Sequence, residues 1–194
     1  MTIGILAVQG AFVEHETMLK NIGVKTFQIR NRVDLNKKMD GLVLPGGEST
    51  SMIKILNESK MFNPLRDLIK LNKTPTFATC AGLILLSQAI TGETMKCLQT
   101  LPVEIKRNGF GRQLDSFVTY KTIKNIGNKI PMMFIRAPYI NKINDPNVKI
   151  LATVNNRIIA VQKDYQIGIA FHPELTNDLR MHKYFLKKIS LLNK

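Results

Sequence analysis

No apolar run in the 194-residue sequence approaches the ~20 residues that a membrane-spanning helix needs. A membrane protein of the helical kind is therefore not expected. The opening "MTIGILAVQG" lacks a basic start and runs straight into a polar segment, so it reads as a first strand rather than a signal peptide. Cysteine is scarce. Two residues, Cys80 and Cys97, make no disulfide framework, and a reducing cytoplasm is the simplest compartment. Repeats, low-complexity tracts and linkers are missing, which leaves one domain over residues 1–194. Neither G-x-x-x-x-G-K-[ST] nor G-x-G-x-x-G occurs, so the two common phosphate-cradling loops are excluded. Acidic residues are also few: 14 Asp and Glu stand against 28 Lys and Arg, a net charge of +14. A nucleic-acid surface is one reading of that excess. The basic residues are scattered, however, and neither zinc-finger spacing nor an RNP-like aromatic pattern appears. A Lys/Asn-rich solvated surface is the better account, and no nucleic-acid partner is expected.

What is present is an alternation of apolar runs and helical patterns. Ile3–Val8 reads as a strand buried on both faces. Glu14–Ile22 suits a helix that stops at Gly23. Thr26–Arg30, Gly41–Leu44 and Thr76–Thr79 are further strands. Ser51–Glu58 and Pro64–Leu71 are helical, and Leu83–Ala89 opens another helix. This β-α-β order predicts a parallel sheet with helices on both faces. The second half is richer in strands: Val103–Lys106, Phe117–Tyr120, Met133–Ile135, Lys149–Val154, Arg157–Gln162 and Gln166–Phe171. "VNNR" at 154–157 makes a tight turn between two of them. Asp178–Leu192 closes the chain as an amphipathic helix. The expectation is an α/β fold, a three-layer α/β/α sandwich with a flavodoxin-like, mostly parallel sheet and antiparallel additions.

Three strand ends carry chemistry-bearing residues. In "TPTFATCAGLILLSQA", 74–89, Cys80 sits where a strand meets a helix, among the small residues Ala78, Ala81 and Gly82. Such a tight turn suits a nucleophile elbow, and a helix N-terminus favours a thiolate. A buried structural cysteine remains the alternative. "HPE", 172–174, follows the last strand. Pro173 keeps His172 out of a helix, and Glu174 can reach back to one imidazole nitrogen, the base–orienter logic of a triad. "LVLPGGEST", 42–50, is a third strand end, whose glycines can aim backbone N–H groups at a substrate. In "RNGFGRQLDSF", 107–117, Arg107 or Arg112 could hold a carboxylate in a charge-assisted fork; "FIRAP" offers Arg136. Unaided, each arginine is better read as a surface charge. His15 and His182 are read as ordinary helix positions, and Cys97 as non-catalytic.

Together these segments resemble the class I, triad-type glutamine amidotransferases, and more narrowly the glutaminase subunits of pyridoxal 5'-phosphate synthase. "TCAGL" with "HPE" points to the broad class. "AVQGAFVEHE", "LPGGEST", "RNGFGRQLDSF", "FIRAP" and "FHPELTNDLRMHKYF" point to the narrower family, in order and over nearly the whole chain. The resemblance implies Cys80 as nucleophile, with His172 and Glu174 completing a triad. It implies that Gly47, Glu48, Ser49, Arg107, Ile135 and Arg136 contact L-glutamine, and that Gly47 and Ala81 supply the oxyanion hole. It implies no metal and no cofactor, pyridoxal phosphate being the product of the complex. The implied partner is a (β/α)₈-barrel synthase subunit in a large hetero-oligomer, docked around the triad mouth and the first helix and needed to switch the glutaminase on. A Gly46–Gly47 peptide facing the wrong way in the free chain would account for that silence. Two alternatives stand beside this reading: another cysteine hydrolase or amidotransferase on the same scaffold, and a non-catalytic basic binding module.

Overall fold

The structure, a computed structural model, describes residues 1–110 and 116–192. Arg112 and the middle of "RNGFGRQLDSF" lie outside the described residues.

The apolar runs become the centre of a sheet. Strands β1 (Thr2–Leu6), β2 (Lys25–Ile29), β3 (Gly41–Leu44) and β4 (Thr76–Thr79) alternate with helices α1 (Phe12–Lys20), α2 (Ser49–Glu58), α3 (Phe62–Lys70) and α4 (Ala81–Leu86). The chain continues through β5 (Ser87–Ile90), β6 (Leu101–Lys106), β7 (Ser116–Ile123), β8 (Gly127–Ile135), β9 (Tyr139–Ile143), β10 (Lys149–Val154), β11 (Arg157–Lys163) and β12 (Gln166–Ile169), and ends in α5 (Arg180–Leu192). Ten of these strands form one sheet in the order β2-β1-β3-β4-β12-β11-β9-β6-β5, with β10 paired to β11. The run β2-β1-β3-β4-β12 is parallel throughout. Beyond it, the pairs β12–β11, β11–β9 and β9–β6 are antiparallel, and β6–β5 is parallel. β7 and β8 form a separate ladder.

Parallel strands covered on both faces read as unbroken apolar runs, and every residue of β3, β4 and β12 is buried. Successive residues of β4 point to opposite layers. Phe77 packs tilted against Phe185 of α5 and meets His15 of α1 edge-on. On the other face Gly82 of α4 lies against Leu44 and Gly168 against Leu83. Helices α1 and α5 thus cover one face, α4 with α2 the other, and the molecule is a three-layer α/β/α arrangement.

The register positions the site. Leu44 of β3 pairs with Ala78 of β4, and Thr79 pairs with Ile169 of β12. Three adjacent parallel strands therefore end level with one another. "PGG", Cys80 and "AFHPE" all leave the sheet at that carboxyl edge, the edge where open α/β sheets bind ligands.

Several element boundaries differ from expectation. The helix expected to continue through Ala89 stops at Leu86, because Ser87 turns extended and its hydroxyl bonds back to the Ile84 carbonyl. Ser87–Ile90 then pairs with β6 as an edge strand. Phe117–Tyr120 and Met133–Ile135 are parts of one longer hairpin. Tyr139–Ile143 was not expected as a strand; it is half polar, yet it bridges β6 and β11. The turn at "VNNR" is present, with Asn155 and Asn156 both at positive φ, the pairing that a two-residue hairpin turn requires.

Gly82 is where the close packing of α4 on β3 is tightest. A Cβ there would stand 2.0 Å from the Leu44 carbonyl oxygen, so the helix would have to move. Gly82→Ala is expected to cost ~1–3 kcal/mol, read as a lower denaturation midpoint. An unchanged midpoint would contradict this packing.

Candidate active site

Cys80 occupies the one-residue corner between β4 and α4, with φ 46° and ψ −102°. Positive φ strains a non-glycine residue, and the corner is held by the Cys80 N–H donating to the Ile169 carbonyl at 2.8 Å. His172 is fixed by its own N–H donating to the Met133 carbonyl at 2.8 Å. Its ring sits over Gly46: a Cβ on that glycine would lie 2.2 Å from Cε1 and 2.8 Å from Nδ1 of His172, and 3.4 Å from Cβ of Cys80. Only glycine lets the "PGG" loop approach the imidazole and the thiol together.

Glu174 lies behind His172 in a short 3₁₀ turn, Pro173–Leu175. Its Oε1 is 2.7 Å from His172 Nδ1, which leaves Nε2 of His172 for the thiol. Burial works against a charged His172, but the facing Cys80 and Glu174 side chains outweigh it and push the imidazole up to about 10. Burial likewise opposes charge on Glu174, and the neighbouring histidines overcome it, so its carboxyl stays below the usual range.

These residues border a cavity of about 410 Å³, within the range of small-molecule sites. Gly47, Glu48, Ser49, Cys80, Ala81, Arg107, Ile135, Arg136 and His172 all line it; Glu174 stands behind. The amides of Gly47 and Ala81 have no protein acceptor among the described residues. Glu48 caps α2, its carboxylate accepting from the N–H groups of Thr50 at 3.0 Å and Ser51 at 2.6 Å. Partial desolvation resists, but those bonds draw the carboxyl down to about 2. Arg107 reaches the same carboxylate at 3.6 Å and Glu93 at 3.0 Å, so two acids hold it at the cavity mouth. Cys97 is buried away from this cavity, and burial pushes its thiol up.

Residues 5–191 match the model of the SNO glutamine amidotransferase family. The chain belongs to the SNO glutamine amidotransferase family. Among curated relatives, the "Pyridoxal 5'-phosphate synthase subunit PdxT" of Desulfitobacterium hafniense is 50% identical over 190 residues, covering 98% of this chain and 94% of that one. The protein of the same name from Streptococcus pneumoniae is 48% identical over 189 residues, 96% of each. A crystal structure described as a glutamine amidotransferase superposes with a TM-score of 0.90 at 34% identity, covering 97% of this chain and 98% of that one. A putative GMP synthase subunit from Thermoplasma acidophilum, 14% identical with a TM-score of 0.68, shares the fold.

Three residues of the amidotransferase were missed or misread from sequence. Gln9 accepts the Glu48 N–H at 2.7 Å and so clamps the "PGG" loop. His15 and His182, read as ordinary helix positions, are both fully buried and bonded to each other at 2.9 Å across the two helices. His15 Nε2 also lies 3.3 Å from Glu174 Oε2. A signal was available: each histidine falls on the apolar face of its helix, beside Met18 and Leu19 or Met181 and Phe185, where a polar group needs a partner.

The charged His172 links stability to pH. A group raised from 6.5 to about 10 on folding adds stability that is complete below pH 6.5 and fades as pH climbs through about 10. The melting temperature of wild type relative to His172→Gln should therefore fall between pH 6 and pH 10. A difference that is flat with pH would mean a neutral imidazole.

Proposed function

We infer that this amidotransferase is the glutaminase subunit of a pyridoxal 5'-phosphate synthase, releasing ammonia from L-glutamine for vitamin B6 biosynthesis. One observation supports its chemistry above the others. A strained cysteine faces a histidine that is bonded to a buried glutamate, all at the ends of adjacent parallel strands.

In the mechanism, the Cys80 thiolate attacks the side-chain carbonyl carbon of glutamine. The carbonyl π pair moves onto oxygen, and the oxyanion is met by the N–H groups of Gly47 and Ala81. Each donor is worth ~3 kcal/mol in reactions of this kind. His172 gives its proton to the leaving nitrogen as the C–N bond breaks, so ammonia departs and a thioester remains. The neutral imidazole then takes a proton from water, which attacks the thioester carbon. Collapse of that second intermediate expels the thiolate and releases glutamate. Arg107 and Arg136, with Glu48, Ser49 and Ile135, hold the amino-acid end of the substrate. Metal and cofactor have no part in this scheme.

The ammonia passes to a (β/α)₈-barrel synthase subunit in a large cytoplasmic hetero-oligomer. The partner docks over the cavity mouth and α1. The Ala11 N–H donates to the Gly46 carbonyl at 2.9 Å, so pressure on the start of α1 reaches the peptide that carries the Gly47 donor. Turning that peptide means breaking this bond, which is how docking governs the oxyanion hole. No helix among the described residues is long and apolar enough to cross a membrane.

The test is glutamate release from glutamine, with and without the synthase subunit, for wild type and Cys80→Ala. Activity that requires the partner and vanishes in the variant is expected. Cys80→Ala at wild-type rate would sink the nucleophile assignment, and an amide other than glutamine as the preferred substrate would favour a different hydrolase on the same scaffold. Arg107→Ala should lower kcat/KM by about 10- to 100-fold, the equivalent of losing a charged hydrogen bond of ~1.5–3 kcal/mol, mainly through KM. A pure kcat effect would remove Arg107 from substrate binding.

A further inference from the structure

The glutamate of the triad has more around it than a triad requires. Glu174 Oε1 is committed to His172, while Oε2 is buried with no well-aligned hydrogen bond among the described residues. Two side chains close on that carboxylate from other elements, and a third backs one of them. Thr79 Oγ1, at the end of β4, is 3.5 Å from Oε1. His15 Nε2, from α1, is 3.2 Å from Thr79 Oγ1 and 3.3 Å from Glu174 Oε2. His182 Nε2, from α5, is 2.9 Å from His15 Nδ1. The outer end of the chain is His182 Nδ1, buried and without a partner among the described residues.

That orphan nitrogen decides where the protons lie. A buried N–H without an acceptor is rarer and costlier than a bare lone pair. His182 Nδ1 therefore carries no proton, and its proton is on Nε2, donating to His15 Nδ1. His15 must then carry its own proton on Nε2. Thr79, receiving that N–H, turns its hydroxyl proton to Glu174. Every donor in the line points at the carboxylate. The reversed line would aim lone pairs of Thr79 and His15 at an anion and strand an N–H on His182.

We propose that His15 is a positioning residue of the triad: protonated on Nε2 and aided by Thr79, it holds the Glu174 carboxylate in place for His172, while His182 fixes its tautomer. This rests on the assignment of Cys80, His172 and Glu174 given above. The charged or titratable groups facing His15 are Glu14 of its own helix, Glu174 and His172 from the turn after β12, and His182 from α5. Phe77 packs edge-on to both outer rings. Burial lowers both outer histidines, His182 to about 3. They are thus neutral donors, and among the three histidines the positive charge stays on His172.

The chain has three histidines, so nitrogen-15 NMR can read each tautomer, with His172→Gln identifying the third signal. Protons on Nε2 of both His15 and His182 are expected; a proton on Nδ1 of either overturns the proposal. Activity is read on the complex with its synthase subunit. His15→Leu should lower kcat for glutamine by about tenfold, the scale on which outer partners of a functional imidazole act, with KM unchanged. Losing a donor that favours the Glu174 anion should also move the acid limb of the pH profile upward. Thr79→Val, nearly isosteric, should move the limb the same way, and Thr79→Ser should restore it. A limb that stays put in both His15→Leu and Thr79→Val overturns the proposal; if His15→Leu does not fold, Thr79→Val and the NMR decide. Should Cys80→Ala remain active, the triad assignment itself has failed, an outcome distinct from an unmoved limb.

Discussion

A buried carboxylate governs this site. Glu174 is 5% exposed, and an anion at that depth is tolerated only where donors compensate its lost hydration. His172 supplies one such donor directly. The sheet supplies the setting: β12 delivers the turn that carries both residues, and β4 delivers Thr79 and Cys80 in register beside it. Against burial, Cys80 and then Glu174 hold up the charge on His172, so the imidazole is paired with the thiol on one side and the carboxylate on the other. Backbone hydrogen bonds to Ile169 and Met133 tie the Cys80 corner and the His172 turn to their neighbours, so the electrostatics act within a fixed frame.

The sheet's centre could be read from sequence because strands buried on both faces announce themselves locally. "IGIL", "GLVL" and "TFAT" are continuous apolar or small runs, and their ends placed "PGG", Cys80 and "HPE" on one edge. Tyr139–Ile143 escaped for the opposite reason. Its alternation is weak, and it is a strand because β6 and β11 accept it from either side. Ser87–Ile90 escaped because an apolar helical run precedes it and gives no local sign of the switch. In both cases tertiary pairing outweighed local pattern.

The geometry of the thiol, imidazole and carboxylate was accessible because His172 and Glu174 are two residues apart and Cys80 follows its own strand. The layer behind them was not. His15 and His182 are 167 residues apart in the chain, and no local period joins them. Each looked like a stray polar residue on an amphipathic helix. Arg107 was a similar case. As a lone arginine it had no more claim than a surface charge, and only the convergence of Glu48 and Glu93 upon it shows that it is held in place at the cavity.

At Gly10 the backbone has φ +99°, and a Cβ there would stand 1.9 Å from the Gly46 carbonyl oxygen. The turn that opens α1 and the loop beside the thiol thus touch backbone to backbone, with no side chain between them to absorb a displacement. Coupling between two sites is a shared free energy and runs equally in both directions. If docking on α1 tightens the cavity's hold on glutamine by some factor, filling the cavity tightens docking by the same factor. A contact of this kind lets substrate recruit the partner as readily as the partner prepares the site for substrate.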